Sequence, residues 1–205
     1  MPADHRIVAV CAMGIEAWGV RRRAPGIRVL RVGIGGTAPS GDASIVISAG
    51  VCGGLLPDQV PGTVVIGTSV SDEWGTVHAC DPTIAVRLER AARSLGVPVV
   101  TGSVVSASAM VTGAERGVWA DRGHVAVDME SAAAAATAPR FGVARVIVDS
   151  PRRELSPAWV APGRAALRPS NWVDGLWLAI HMPEYALRAG AVLQAAFLGD
   201  IDPEV

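Results

Sequence analysis

Two carboxylates in this chain stand where side chains can do chemistry. In Val125-Ala126-Val127-Asp128-Met129-Glu130-Ser131-Ala132-Ala133 an apolar run delivers Met129 and Glu130 to the start of an alanine-rich segment. A carboxylate at such a junction can accept two hydroxyl hydrogen bonds, the pair that a ribose 2′,3′-diol offers, and a Met thioether can pack on the sugar face. The competing reading is that Glu130 only favours a helix N-terminus electrostatically. In Arg145-Val146-Ile147-Val148-Asp149-Ser150 an Asp closes a second apolar run. In a partly desolvated cleft its carboxyl titrates high and can serve as a general acid. On spacing alone it can equally well cap the following turn.

Two glycine-rich strings accompany these acids. Ser48-Ala49-Gly50-Val51-Cys52-Gly53-Gly54-Leu55 follows an apolar run. Its glycines allow close approach of backbone to a ligand, or form a tight turn between strands. Gly33-Ile34-Gly35-Gly36-Thr37-Ala38 formally fits the dinucleotide-binding pattern. It does not follow the first strand, however, and no strand-end acid lies at the right distance, so a nicotinamide or flavin site is not expected. Cys11, Cys52 and Cys80 form no CxxC pair and no metal spacing with the histidines, and read as free, buried thiols. His78, His124 and His181 suggest neither a metal site nor a triad, and Ser106 and Ser108 lie in no nucleophile elbow. Trp74, Trp159 and Trp172 sit in or beside polar or Pro-rich stretches and are candidates for an apolar substrate entrance.

The elements that must hold these residues follow from pattern. Ile7–Met13, a continuous apolar run rich in Val and Ile, predicts a strand buried on both faces, Ser44–Ala49 predicts another buried strand, and Ile27–Val32, Val64–Ser69, Val97–Val105, Val125–Met129 and Ala144–Asp149 read as further strands. Helices are predicted at Ile15–Arg23, from Asp81-Pro82 through Ser94, at Glu130–Ala138, and as two closing helices, Trp172–Met182 and Tyr185–Leu198. Ser150–Pro169 is the one long loop expected. Strands alternating with helices predict a three-layer α/β/α sandwich with a mixed, largely parallel sheet, formed by a single domain over residues 1–205. Ligands of such sheets bind beyond the C-terminal ends of strands, where Glu16, Gly50–Gly54, Glu130 and Asp149 are all expected.

A net charge of −1 gives no reason to expect a nucleic acid or an anionic membrane as partner. No apolar run reaches the roughly 18–20 residues that span a bilayer. The nearest, Trp172–Met182, carries Asp174 and His181, and Ile7–Met13 is too short for a secretory signal. A cytoplasmic protein is expected.

Taken together the strings resemble the nucleoside phosphorylase and nucleosidase superfamily, from Ile7 to about Pro157, and within it the hopanoid-associated branch, which removes adenine from adenosylhopane. The methylthioadenosine/S-adenosylhomocysteine nucleosidases are the next most similar. The Asp-Met-Glu-Ser-Ala-Ala string is the most specific, followed by Arg145 four residues before Asp149. The run Asp149–Pro157 and Met182-Pro183-Glu184-Tyr185-Ala186-Leu187 resemble the hopanoid branch, with Ser156 interrupting its Leu-Pro pair. The resemblance implies that Asp149 protonates the leaving adenine at N7 and that Glu16 activates water. It implies that Glu130 and Met129 bind the ribose, that Gly50, Val51 and Gly53 flank sugar and nucleophile, and that Met110 and Val111 meet the base. Val51, Ser108, Met110 and Val148 depart from the nucleosidase pattern. The implied reaction needs no metal or organic cofactor, with phosphate the alternative nucleophile. The implied partner is a small adenine nucleoside with a hydrophobic substituent, and a homo-oligomer is expected. Cleavage of methylthioadenosine, adenosylhomocysteine or futalosine is the alternative activity, and a non-catalytic nucleoside-binding protein the alternative class.

Overall fold

The computed structural model describes residues 7–36, 43–165 and 167–199. Strand β1 (Ile7–Cys11) leads to α1 (Gly14–Arg23) and β2 (Arg28–Arg31), followed by β3 (Ile45–Gly54), β4 (Val64–Asp72) and β5 (Val77–Ala79). Then come α2 (Pro82–Ser94), β6 (Val99–Ser106), α3 (Ala114–Asp121), β7 (His124–Asp128), α4 (Ser131–Ala135), β8 (Phe141–Asp149), α5 (Pro162–Ala165) and α6 (Trp172–Phe197). The strands form one mixed, mostly parallel sheet in the order β2-β1-β3-β7-β6-β4-β5, with β8 pairing both β3 and β4. Because β8 bridges those two, β3, β7, β6, β4 and β8 close on themselves.

The apolar runs bury both faces of the sheet at β1, β3 and β8, whereas Arg28 and Arg31 of β2 are exposed. One face packs with α1, α2 and α6 through Val20, Leu88, Tyr185 and Val192, and the other with the alanines of α4. A smaller cluster under α3 joins Leu55, Val105, Val111 and Trp119. The Asp81 side chain accepts from Thr83 N–H and Ile84 N–H, so α2 starts where the Asp-Pro pair predicts.

Several elements differ from the expectation, and β5 is a short additional strand. β3 runs on through the glycine string to Gly54, because those residues pair with β8 and β7 and do not turn. α3 is additional, and its only buried residues are Arg116 and Trp119, so it shows no apolar periodicity. α4 is shorter than predicted, its following residues leading into Pro139. The two closing helices are one, α6, with Pro183 inside it. Proline there removes a single hydrogen bond, and packing holds both sides of it: Met182 lies against the core and Tyr185, Ala186 and Ala189 lie within it. The 150–169 segment is a bridge between Ser150 and Arg153, a 3-10 turn at Pro157–Val160 and α5. No described helix is long and apolar enough to cross a membrane.

α1 and α6 cross at glycine. A Cβ on Gly19 would lie 2.3 Å from the Ala186 backbone carbon, and one on Gly190 would lie 2.6 Å from the Gly19 carbonyl oxygen. Gly117 of α3 faces open space. Helix propensity alone favours alanine over glycine by about 1 kcal/mol at either helix. We therefore expect Gly117→Ala to stabilise the protein by up to about 1 kcal/mol, and Gly19→Ala to destabilise it by about 1–3 kcal/mol through overpacking. Urea unfolding midpoints of the two variants, moving in opposite directions, check this.

Candidate active site

The C-terminal ends of β1, β3, β7 and β8 converge on a cavity of about 550 Å³, walled further by α6 and the segment after β8. That volume lies within the roughly 300–1,000 Å³ usual for small-molecule sites. Glu16, Val51, Gly53, Met110, Val111, Met129, Glu130, Arg145 and Asp149 all line it. Among the predicted site residues Gly50 does not. Its φ of +154° and the approach of Glu16 Oε1, 2.2 Å from where a Cβ would stand, make it the space into which Glu16 fits. Trp159 lines the cavity, whereas Trp74 and Trp172 do not. Ser108 lies outside it, donating through N–H and Oγ to Glu73.

Arg145 organises the polar end. Its guanidinium, 1% exposed, donates to Ser48 Oγ at 2.8 Å, to the Val51 carbonyl at 2.8 Å and to Glu130 Oε2 at 3.0 Å, and lies 2.8 Å from Asp128 Oδ2. Burial opposes its charge, but Asp128, Glu130 and Glu16 more than offset that and hold its pKa above the usual guanidinium value. Asp128 also accepts from Ser106 Oγ, Ser131 Oγ and the N–H groups of Glu130 and Ser131, which ties β7 to the start of α4. Glu130 is thereby aimed into the cavity, with Gly35 N–H donating to its second oxygen at 3.2 Å. It makes no cap to α4.

Glu16 sits in the first turn of α1. It accepts from Met13 N–H and Val51 N–H, each at 2.7 Å. Burial raises its pKa, against the pull of Arg145 and those two N–H groups. Asp149 ends β8 just past a bulge that leaves Val148 unopposed and sets Asp149 across from Gly53. Its carboxylate forms an ion pair with Arg116 of α3. Burial raises the Asp149 pKa, and Arg116 and the Leu155 backbone limit the rise. Arg116, 2% exposed, also donates to the Gly54 carbonyl, and Glu154 lies 3.2 Å from its Nε. That last contact is an ion pair without hydrogen-bond alignment. Gly53 makes the arrangement possible, since a Cβ there would stand 3.0 Å from Asp149 Oδ1 and 3.2 Å from Arg116 Nη1.

Sequence reasoning missed Arg116, Asp128 and Glu154. Asp128 lay within the string that drew attention to Glu130. Nothing in the sequence around Arg116 signalled it. Away from the acids the cavity wall is apolar, from Ile34, Leu155, Trp159, Leu178 and Met182. Cys52 lines it too, but burial holds its thiol protonated, as it does Cys11 and Cys80, whose pKa values are pushed up to about 12.

A family model described as the phosphorylase superfamily matches residues 29–150. No curated protein sequence matches. Several solved structures share the fold. A Helicobacter pylori MTAN variant with 5′-methylthioadenosine in its active site has a TM-score of 0.71 at 13% identity, over 95% of this chain and 98% of that one. The Neisseria meningitidis 5′-methylthioadenosine/S-adenosylhomocysteine nucleosidase, in complex with methylthio-immucillin-A, has a TM-score of 0.71 at 23% identity, over 93% and 98%. The Helicobacter pylori futalosine hydrolase has 0.70 at 14%, over 93% and 96%.

The Asp149–Arg116 pair generates a signed expectation. Removing one partner of a buried pair costs about 3–5 kcal/mol, so Arg116→Met is destabilised by about that much at neutral pH. The lone Asp149 carboxyl then rises further. With its folded pKa above the unfolded one, the folded state holds the extra proton, and stability is full below the ordinary carboxylate pKa and lost as pH rises through the raised one. The deficit against wild type therefore shrinks on acidification, which urea unfolding across that range measures.

Proposed function

The chain belongs to the phosphorylase superfamily, and from that premise we propose that it cleaves the N-glycosidic bond of an adenine nucleoside and releases adenine. The observation that carries this reading is that two buried carboxylates, Asp149 and Glu130, open on one cavity while each is held by a different guanidinium. Asp149, raised by burial, gives its proton to N7 of the purine, so that the base leaves neutral. Arg116 stabilises the carboxylate left behind, and Glu154 remains as its counter-ion while Asp149 is protonated. Glu130, with lone pairs beyond those used by Arg145 and Gly35, accepts from the ribose hydroxyls, and Met129 packs on the sugar. Met110 and Val111 meet the base.

Water is the proposed nucleophile, losing its proton to Glu16 as it bonds to the anomeric carbon. Phosphate is disfavoured by charge. Among the described residues lining the cavity, Glu16, Asp128, Glu130 and Asp149 outnumber the single arginine Arg145, whose donors are already engaged. Arg31, which precedes the Gly33–Gly36 string and could be thought to reach an anion there, is exposed. No organic cofactor takes part in this scheme. The apolar wall suits a hydrophobic 5′-substituent, and with the resemblance of the 149–157 and 182–187 strings it supports adenosylhopane as the substrate. A cytoplasmic location and a homo-oligomer belong to the same reading, and three free cysteines fit a reducing compartment. The similarity to methylthioadenosine and futalosine enzymes favours smaller substituents instead. The Arg116 pair favours a non-catalytic binder, because it opposes the protonated form of Asp149 that donation needs.

Incubation with adenosylhopane, methylthioadenosine and futalosine, with and without phosphate, separates these readings by the purine base released and by the mass of the sugar product. We expect adenine and a free ribosyl product. A ribose 1-phosphate whose yield rises with phosphate overturns the water assignment, and no base from any substrate leaves the binder. Asp149→Asn keeps the shape but not the proton, so we expect a loss of at least about 10² in rate. Glu130→Gln should cost much less on 2′,3′-dideoxy substrates than on the parent nucleosides. Losses that simply add across that cycle assign Glu130 a structural role.

A further inference from the structure

The outer half of α6 is apolar on every side. Gly175, Leu178, Ala179 and Met182 line the cavity. Facing away from it, Trp172, Val173, Leu176 and Ile180 are 62%, 76%, 66% and 61% exposed, and the 173, 176, 180 spacing is one helical stripe. The ionisable side chains between Trp172 and Pro183 are Asp174, bound to Arg153 and Ser156 N–H, and His181, bonded to the Trp177 carbonyl. A helix apolar all round ordinarily lies in a core. Here it is the wall between the cavity and the exterior. Leu167, 81% exposed, adds to the apolar surface in the segment that leads into α6.

Arginines lie in the segment that leads into this helix, where Arg152 donates to the Pro57 carbonyl. Arg152, Arg164 and Arg168 are exposed, and Arg164 and Arg168 have no acidic partner among the described residues. The acids of the same stretch, Glu154 and Asp174, are tied to Arg116 and Arg153. We infer that this face lies on the surface of an anionic lipid bilayer and that the substrate passes from the bilayer into the cavity beside α6. Tryptophan and aliphatic side chains flanked by arginine are the composition of a helix resting in the interfacial plane, which fits a helix unable to span. A second copy fits less well. A two-fold contact apposes the same patch from both protomers and would bring these arginines together without an acid to meet them. The overall charge of −1 hides these arginines because they are local. The substrate route rests on the proposed cleavage of a nucleoside with a bulky apolar 5′ group. The docking surface does not.

The test is flotation of the full chain with phosphatidylcholine vesicles, with and without phosphatidylglycerol. We expect it to float with the anionic vesicles, and less so as salt rises. A Leu176→Asp, Ile180→Asp double variant should lose partitioning at least about tenfold, since two buried aliphatic side chains are replaced by charges. An Arg164→Gln, Arg168→Gln variant should lose only the preference for anionic over neutral vesicles. None of these four residues lines the cavity, so release of adenine from methylthioadenosine in solution should match wild type in both variants, with thermal melts confirming folding. Wild type that stays unfloated, or an aspartate variant that floats equally well, overturns the inference. So does a dimer, seen by sedimentation velocity, that the aspartate pair dissociates. Flotation as expected, with no base released from any nucleoside, upholds the surface and removes the proposed activity.

Discussion

A guanidinium shut away from water must be met by acceptors on every side, and the site is arranged around that demand at Arg145. An unpaired buried ion costs several kcal/mol, so β3 supplies Ser48 and the Val51 carbonyl, the end of β7 supplies Asp128, and the start of α4 supplies Glu130. Asp128 is bound in turn by two serines and two backbone N–H groups. None of these groups can move without orphaning another. The orientation of Glu130 is thus a by-product of charge compensation, which is what a binding residue needs in order to be rigid before its ligand arrives.

The same accounting bears on protonation. Among the described residues four buried carboxylates, Glu16, Asp128, Glu130 and Asp149, face two buried guanidiniums, Arg116 and Arg145. Full ionisation would leave the region with uncompensated negative charge in a desolvated space. Protons are the simplest remedy, and Asp149, raised by burial, is where the proposed reaction needs one; Glu16, raised as well, must give its own up before it can take the proton of water. Backbone N–H groups hold Glu16 where Asp149 has an arginine, so the two acids are tuned by different means.

Much of this was legible in the sequence wherever one physical demand dominated. Strands buried on both faces are predominantly apolar, and β1, β3 and β4 were readable from such runs, whereas β2 was found although its Arg28 and Arg31 are exposed. Asp81-Pro82 marked a helix start because the cap and the missing proline N–H serve the same end. Glu130 and Asp149 stood out as acids that end apolar strands. The unreadable parts are those where two demands compete. α3 turns a charged residue inward, so its periodicity carries no hydrophobic signal. The glycines of β3 suggested close approach to a ligand or a turn, whereas Gly50 and Gly53 make room for Glu16, Asp149 and Arg116. At Pro183 the local rule predicted a break, and packing on both sides overrode it.

The proline-marked helix has an evolutionary consequence. Its inner half, from Tyr185 onward, is locked into the core by the crossing with α1, where Gly19 and Gly190 leave no room for change. Its outer half contributes a wall to the cavity, and its own acid, Asp174, pairs with Arg153 apart from the Arg116 and Arg145 pairs. Mutations at its cavity-facing positions Leu178 and Ala179 can reshape what the cavity admits and leave those pairs in place. A lineage could change what the cavity accepts by rewriting about three helical turns, while the paired carboxylates and guanidiniums stay as they are.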